Sequence, residues 1–258
     1  MEIRKFNAVR GWLWIQHGAQ LLLRNPLLGI GGALTSIFVV LIATMLPLFG
    51  PLLAVALMPI MLAGYMRLCR ALEENEKADL AMLLAGFKLH TRSLITLGAF
   101  LMLGMLFAST VMVFVGGEGF ATLMDQIHTT DDVQLLVTAL SSADSNVSLA
   151  LLLGFSLVMV LIVAWQYAPI LVFFSGISPW LALQASFLGT LRNIIPYTVY
   201  TLVMQLVALV LGILPFGLGM ILLLPLGLAS LYVSYRNIFP WLDESPHKVV
   251  DQDEQGRA

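Results

Sequence analysis

The chain has 258 residues, of which 59% are hydrophobic and 11% are charged, against roughly a quarter charged in an ordinary soluble domain. This composition excludes a soluble globular protein and a disordered one. The 13 Lys and Arg against 15 Asp and Glu leave no basic surface for nucleic acid, and the single cysteine, Cys69, excludes an internal disulfide. The remaining class is a helical protein that crosses a membrane several times.

Six apolar stretches are long enough to span a membrane, for which a helix needs about 20 residues. They are residues 27–46, 48–68, 94–115, 147–174, 194–213 and 216–235. We therefore predict an all-α polytopic membrane protein. Its parts are an N-terminal segment (1–26), a six-helix transmembrane domain (27–240) and a polar tail predicted to be disordered (241–258).

Proline and glycine residues mark three of the breaks between these spans. Pro47 separates the first two spans, and residues 212–217, with Pro215, separate the last two. Both breaks predict tight turns. Residues 175–179 form the third break, where Ser178 and Pro179 are typical of a helix start.

The cationic residues predict the orientation in the membrane. All 13 Lys and Arg fall in residues 1–26, 67–93, 176–193 and 236–258, whereas the long loop 116–146 carries only acids. Cytoplasmic loops are the ones enriched in Lys and Arg. We therefore predict that both termini are cytoplasmic, that the loop 116–146 is external with short helices over 118–127 and 131–140, and that the membrane is a bacterial inner membrane.

A pattern recurs before the first, third and fifth spans. A small residue (Gly18, Gly86 or Ser186) is followed six residues later by an arginine, then by an Asn or Ser and the apolar run. The second helix of each pair carries a proline that would kink it: Pro59, Pro169 and Pro225. The pattern predicts three hairpin repeats, each preceded by an amphipathic interfacial helix over residues 8–24, 78–91 or 179–191. The alternative is chance, because arginine is common where a helix starts on the cytoplasmic side.

The three arginines of this pattern are the first candidate site. Each lies at the cytoplasmic boundary beside a polar residue; the pairs are Arg24 with Asn25, Arg92 with Ser93, and Arg192 with Asn193. Arginine can bind a phosphate through two parallel hydrogen bonds, so these positions predict contacts with lipid headgroups. The alternative is that the arginines only anchor the topology and cap helices.

Polar residues inside the spans are the second candidate. The notable ones are Gln166 and Gln205, with the hydroxyls of Ser109, Thr110, Ser156 and Thr198. Such side chains join helices by hydrogen bonds or line a substrate path. No acid, His or Lys lies inside a span, which argues against ion-coupled transport and intramembrane proteolysis. The four His are isolated and no acidic cluster has a ligand spacing, so the sequence predicts no metal, cofactor or catalytic residue.

The chain resembles a family of six-helix proteobacterial inner-membrane proteins of about this length. The resemblance rests on Gly11-Trp12, on the turn Arg24-Asn25-Pro26-Leu27 and on the element from Pro59 to Gly64, and it covers about residues 8–240. More distantly the chain is similar to YciC-like proteins and to the membrane domain of some glycerophosphodiester phosphodiesterases. The resemblance implies six membrane helices with further helices on the inner surface, and it carries no established activity.

Together these features predict a non-enzymatic inner-membrane protein that acts through lipid or partner-protein contacts in the cell envelope. The expected partners are membrane lipids or another envelope protein, and not nucleic acid. The alternative is a transporter or channel-like protein for a neutral or lipidic molecule. Small residues four apart, such as Gly32 and Ser36, predict close helix contacts, within one chain or between chains.

Overall fold

The computed structural model describes residues 3–129, 144–213 and 219–239, together with Gln134, Thr138 and Ser141. These residues form nine α-helices and one 3₁₀ helix, with no strand among them. The chain divides into two compact units. Unit 1 takes its residues from Met1–Gly98 and Ala164–Ala258, and unit 2 from Ala99–Val163.

The helices follow one another along the chain with short connections. In order they are α1 (Val9–Arg24), α2 (Pro26–Thr44), α3 (Gly50–Glu73), the 3₁₀ helix (Leu80–Phe87), α4 (Thr91–Thr129), α5 (Ser145–Trp165), α6 (Ala168–Ser175), α7 (Pro179–Arg192), α8 (Ile194–Gly212) and α9 (Met220–Ile238). Six segments are long and apolar enough to cross a membrane: Pro26–Thr44, Gly50–Glu73, Thr91–Ile127, Ser145–Ser175, Ile194–Gly212 and Met220–Ile238. These six candidates confirm the number of spans predicted from the sequence.

The first hairpin, α2 and α3, is held by close contacts through small residues. Asn25 begins α2 by accepting a hydrogen bond from the backbone N–H of Leu28, and Pro26 occupies the first turn, where its missing N–H costs nothing. The hydroxyl of Tyr65 donates to the Gly29 carbonyl at 3.1 Å. A side chain at Gly32 would overlap Leu68, so at this position the small residue serves a contact within one chain.

The fourth span, predicted over residues 147–174 with a kink at Pro169, is interrupted just before this proline. α5 ends at Trp165 and α6 begins at Ala168, with Pro169 in its first turn. A proline ring clashes with the carbonyl four residues earlier, and here that residue is Trp165. The N–H of Tyr167 leaves the helical ladder and donates to Ser186 Oγ at 3.1 Å.

The other two prolines do not interrupt their helices. Pro59 lies inside α3 and Pro225 inside α9, and both are buried. Proline has no N–H, so the carbonyl of Val55, four residues before Pro59, has no helical donor. Gly98, near the start of α4, lies so close to this carbonyl that an added Cβ would overlap it. All three prolines are therefore buried, and of the three only Pro169 breaks a helix.

The segment predicted as an amphipathic α-helix over residues 78–91 is instead a 3₁₀ helix, Leu80–Phe87. Asp79 begins it by accepting a hydrogen bond from the Ala81 N–H. Gly64 of α3 lies against the Leu83 carbonyl, and Gly86 lies against the Ile60 carbonyl. A 3₁₀ helix is more tightly wound than an α-helix, and with glycine at both contacts it packs backbone to backbone on α3.

Unit 2 contains the parts of α4 and α5 from Ala99 to Val163. Gly104 lies against Leu161, and Gly154 lies against Met112. Gly117 has a non-helical conformation, with φ 54° and ψ −142°, so it separates the span from the helical residues that follow it up to Thr129. This agrees with a separate short helix over 118–127. Most of the predicted helix over 131–140, most of the turn over 212–217 and the tail over 241–258 lie outside the described residues.

The three segments that precede the hairpins each pack on the second helix of another hairpin within unit 1. α1 packs on α9, the 3₁₀ helix on α3, and α7 on α6. The small residues of the recurring pattern lie at these contacts. Gly18 lies against Ser230, Gly86 against Ile60, and Ser186 accepts the hydrogen bond from Tyr167.

Candidate functional site

The N-terminal segment of unit 1 is fixed by a single buried asparagine. Asn193 follows α7, and its side-chain oxygen accepts a hydrogen bond from the Phe6 N–H at 2.9 Å. Its side-chain nitrogen donates to the carbonyls of Arg4 at 2.9 Å and Gly189 at 3.0 Å. Asn193 was predicted to bind a lipid headgroup, but its side-chain oxygen and nitrogen are used in hydrogen bonds within the protein. These bonds fix residues 4–6 beside the C-terminus of α7.

A cavity of about 480 Å³ lies where this segment enters α1. Its lining combines basic, polar and apolar side chains, those of Lys5, Phe6, Asn7, Val9, Arg10 and Leu13. The Arg10 guanidinium lies over the Phe6 ring, 4.8 Å from its centroid. Arg192 immediately precedes Asn193, so Arg192 lies on the same part of unit 1. We call Arg4, Lys5, Arg10 and Arg192 the basic end.

The basic end carries positive charge that the described residues do not neutralise. The ion pairs of these residues join Arg67 to Glu76, Arg70 to Glu74 and Arg236 to Glu73, and none involves a residue of the basic end. Arg4, Lys5 and Arg192 are exposed, and Arg10 is half-buried. An anionic group could therefore approach these cations without competing with a carboxylate of the described chain.

Arg24, the first of the three predicted arginines, caps the end of α3. Its Nη1 donates to the carbonyls of Leu72 at 3.0 Å and Glu73 at 2.7 Å. The last carbonyls of a helix have no partner within the helix and carry a partial negative charge, so a cation there is favourable. Asn25 in turn caps α2. Arg24 therefore connects the α1–α2 turn to the end of α3, whereas Asn25 only begins α2.

Arg92 lies in a different place from the other two arginines. Arg24 and Arg192 are the last residues of α1 and α7, whereas Arg92 is the second residue of α4. The difference arises because the 3₁₀ helix ends at Phe87 and the turn finishes at His90, which has a positive φ of 54°. Arg92 is exposed and Ser93 half-buried, and the described residues offer Arg92 no acidic partner.

The end of α3 carries a paired charge cluster that connects it to α9. The Tyr232 hydroxyl donates to Glu73 Oε2 at 2.5 Å, and Arg236 Nε lies 3.3 Å from the same oxygen. Beyond the helix, the hydrogen bond from Arg67 to Glu76, at 2.6 Å, holds the pKa of the Glu76 carboxyl below its ordinary value. The link from Tyr232 to Glu73 joins residues 159 apart in sequence, so no local pattern could have predicted it.

Gln166, the first predicted intramembrane polar residue, lies in a hydrogen-bonded network at the α5–α6 break. Its side chain donates to Thr190 Oγ1 at 2.7 Å and accepts from the Tyr197 hydroxyl at 2.9 Å. The Tyr197 hydroxyl also lies 3.0 Å from that of Tyr167, which lies 2.7 Å from Ser234 Oγ. The network therefore joins the break to α7, α8 and α9.

The other intramembrane polar residues do not join this network. Gln205 is exposed on α8. The predicted hydroxyls bond to carbonyls of their own helices four residues earlier, which corrects the expectation that they join helices; these are Ser109, Thr110, Ser156 and Thr198. A hydroxyl that bonds its own helix satisfies its polar atoms without a neighbour.

A second cavity, of about 450 Å³, lies beside the Gln166 network. It is lined by Gln166, Tyr197 and Tyr200 and by the α9 residues Met220, Leu223, Leu224, Gly227, Leu228 and Leu231. Sequence reasoning named Gln166 but missed the two tyrosines. Their spacing of three residues, which puts both on one face of α8, was the available signal.

In the part of the chain that the structure describes, no group of three His, Cys, Asp or Glu could hold a metal ion.

Comparison with known proteins places the chain among membrane proteins. A probable inner membrane protein of Burkholderia thailandensis is 28% identical over 225 residues, which cover 85% of this chain and 80% of the relative. No protein-family model matches the chain, and no solved structure matches it. The relative and the six apolar helices together indicate a multi-pass membrane protein. The likeness to YciC-like proteins and to the phosphodiesterase membrane domain stays a prediction.

Proposed function

We propose that this chain is a non-enzymatic inner-membrane protein that acts by binding anionic lipid headgroups. The observation that carries the proposal is the basic end. There Lys5 and Arg10 line a cavity whose other walls include Phe6, Val9 and Leu13. Arginine and lysine bind phosphate, and the apolar walls fit the beginning of an acyl chain. A second envelope protein with an acidic surface is the alternative partner.

The proposed orientation has both termini on the cytoplasmic side. The proposal is supported by the distribution of all 13 Lys and Arg over four of the segments between and beyond the spans. Contacts within unit 1 bring the N-terminal segment, the start of α8 and the end of α9 together: Arg4 contacts both Asn193 and Ile238. In this orientation the basic end meets the cytoplasmic leaflet, whose anionic lipids attract cations.

The proposed architecture is three hairpin repeats, each preceded by a segment at the membrane surface. The shared packing of α1, the 3₁₀ helix and α7 on a second helix of another hairpin supports it, as do the contacts of Gly18, Gly86 and Ser186. The repeats are unequal, because the second has a 3₁₀ helix and a proline that breaks its span.

The three arginines of the pattern are proposed as unequal headgroup sites. Arg192 belongs to the basic end, so we expect it to contribute most to headgroup binding. Arg92 is exposed, so we expect it to contribute less than Arg192 and more than Arg24. Arg24 donates to two carbonyls at the end of α3, so its replacement should lower stability more than lipid binding.

Native mass spectrometry of the purified protein tests the proposal. The double variant Lys5→Gln/Arg192→Gln should retain fewer anionic lipids than wild type, because it removes two of the four cations of the basic end that would hold the phosphate. The control Lys77→Gln/Lys88→Gln removes two exposed cations elsewhere and should retain the wild-type amount. If both double variants retain the same lipids as wild type, headgroup binding at the basic end is wrong. A protein that copurifies with wild type and is lost from the first variant would favour the alternative partner.

A further inference from the structure

The cavity beside the Gln166 network differs in chemistry from the basic end, and it lies on other elements of unit 1. Its volume of about 450 Å³ lies in the range of about 300–1000 Å³ that is typical of small-molecule sites. Along α9 its lining runs from Met220 to Leu231, which is three helical turns or about 16 Å. The cavity is therefore long enough for a chain-like molecule. We call it the α8–α9 groove.

The lining of the α8–α9 groove excludes a charged occupant. None of its nine residues is charged, and six of them are apolar residues of α9. A charge placed in apolar surroundings without a partner is costly, so an ionised headgroup would not enter. The occupant that this lining favours is uncharged and mostly hydrocarbon.

The polar side of the groove carries Gln166, Tyr197 and Tyr200, and the Tyr200 hydroxyl is available for a hydrogen bond. Gln166 and Tyr197 bond each other and their neighbours. The Tyr200 hydroxyl makes no hydrogen bond within the described residues, although Tyr200 lines the groove and its ring contacts those of Trp14 and Tyr197. Since a phenolic hydroxyl can donate and accept, it would bind an uncharged oxygen of the occupant.

Gly227 leaves the groove open at its middle. An added Cβ there would meet only the Met204 Cε atom, at 3.8 Å, which is ordinary van der Waals contact. Because Gly227 lines the groove and an added Cβ there overlaps no atom, a side chain at this position would start inside the groove. The position allows the groove to be filled while the helix contacts around it stay intact.

We infer that the α8–α9 groove binds an uncharged glycerolipid of the diacylglycerol class. An acyl chain lies along α9, and the free hydroxyl or an ester oxygen hydrogen-bonds the Tyr200 hydroxyl. This site is separate from the basic end, which is proposed to bind anionic headgroups, so either site can fail without the other.

Photolabelling in lipid nanodiscs tests this inference. The probe is a diacylglycerol with a photoreactive diazirine on one acyl chain, present in trace amounts in phosphatidylcholine. Labelling of the peptide that contains residues 220–231 should be saturable, and unlabelled diacylglycerol should compete for it. Phosphatidylglycerol with the same chains should compete at least tenfold less well. Equal competition by phosphatidylglycerol would overturn the inference, because it would show that the groove does not select against charge.

Two variants separate binding in the groove from general damage to the fold. Gly227→Phe should reduce saturable labelling at least fivefold, whereas Gly31→Phe, at an α2 glycine with nothing within 4 Å of an added Cβ, should leave it unchanged. Tyr200→Phe removes only the hydroxyl and should weaken binding about threefold to tenfold, as expected for one hydrogen bond. Wild-type labelling in Gly227→Phe, or wild-type affinity in Tyr200→Phe, would overturn the inference.

Discussion

The side-chain oxygen of Asn193 accepts a hydrogen bond from the backbone N–H of Phe6 at 2.9 Å, across 187 residues of sequence. The same side chain donates to the carbonyl of Arg4. One buried amide thus fixes the segment before α1 to the turn between α7 and α8. The positions of Lys5 and Arg10, and with them the basic end, depend on this contact.

Replacement of Asn193 should therefore destabilise the protein and disorder the basic end together. Asn193→Leu leaves the Phe6 N–H without its partner, and an unsatisfied buried polar group costs on the order of 1–3 kcal/mol. Thermal unfolding in detergent should show the loss. The control is Asn146→Leu, at an exposed position of α5, which should unfold at the wild-type temperature. Equal unfolding temperatures for Asn193→Leu and wild type would contradict the anchoring role.

The contacts of the small residues predict different effects of an alanine substitution at two glycines. Gly18→Ala should lower stability by about 1–3 kcal/mol, because the added Cβ would lie 2.6 Å from Ser230 Oγ and 2.8 Å from its backbone nitrogen. Gly31→Ala meets nothing within 4 Å and should cause no loss, since alanine favours the helix over glycine. Chemical unfolding of both variants measures the difference. No loss for Gly18→Ala would remove the packing argument for α1 on α9.

The hydrogen bond from Arg67 to Glu76 predicts a pH dependence. Because the folded state lowers the pKa of Glu76, its contribution to stability is present above the ordinary carboxyl pKa and is lost as the pH falls through the lowered value. Glu76→Gln should therefore unfold at a lower temperature than wild type at neutral pH, and the difference should shrink in acid. Glu118→Gln, at an exposed acid of unit 2, is the control. A difference that grows in acid would contradict the assignment.

The orientation predicts which positions an impermeant thiol reagent reaches in intact cells. In a Cys69→Ser background, cysteines at Asn146 or Thr129 should react from outside, and one at Glu74 should not; all three positions are exposed. In opened membranes all three should react. Labelling at Glu74 in intact cells would reverse the proposed orientation.

The spans and the starts of α2 and α7 could be predicted from the sequence because they depend on local chemistry. Continuous apolar runs set the spans, and Pro26 and Pro179 mark the first turns of α2 and α7. The break at Gln166 could not be predicted from Pro169 alone, since Pro59 and Pro225 lie in continuous helices. It also needs a partner for the Tyr167 N–H, and that partner, Ser186, lies on another helix.

The residues of the candidate sites likewise divide into those that local sequence indicates and those that depend on contacts distant in sequence. The sequence indicates Arg192 and Gln166, because a charge at the end of an apolar run and an amide within one are conspicuous. It does not indicate Lys5 and Arg10, because their place at the basic end follows from the contact of Phe6 with Asn193, far along the chain. The capping of α3 by Arg24 likewise depends on how the first hairpin closes.

The most direct test of headgroup binding is to map where a phosphatidylglycerol with a photoreactive headgroup attaches to the wild-type protein in nanodiscs. Peptide sequencing by mass spectrometry then locates the labelled residues. The account predicts labelling of residues 4–10 and of the peptide around Arg192, with competition by unlabelled phosphatidylglycerol and little labelling by a phosphatidylcholine probe of the same design. Labelling spread evenly over the cytoplasmic segments, or equal labelling by the two probes, would contradict a headgroup site at the basic end.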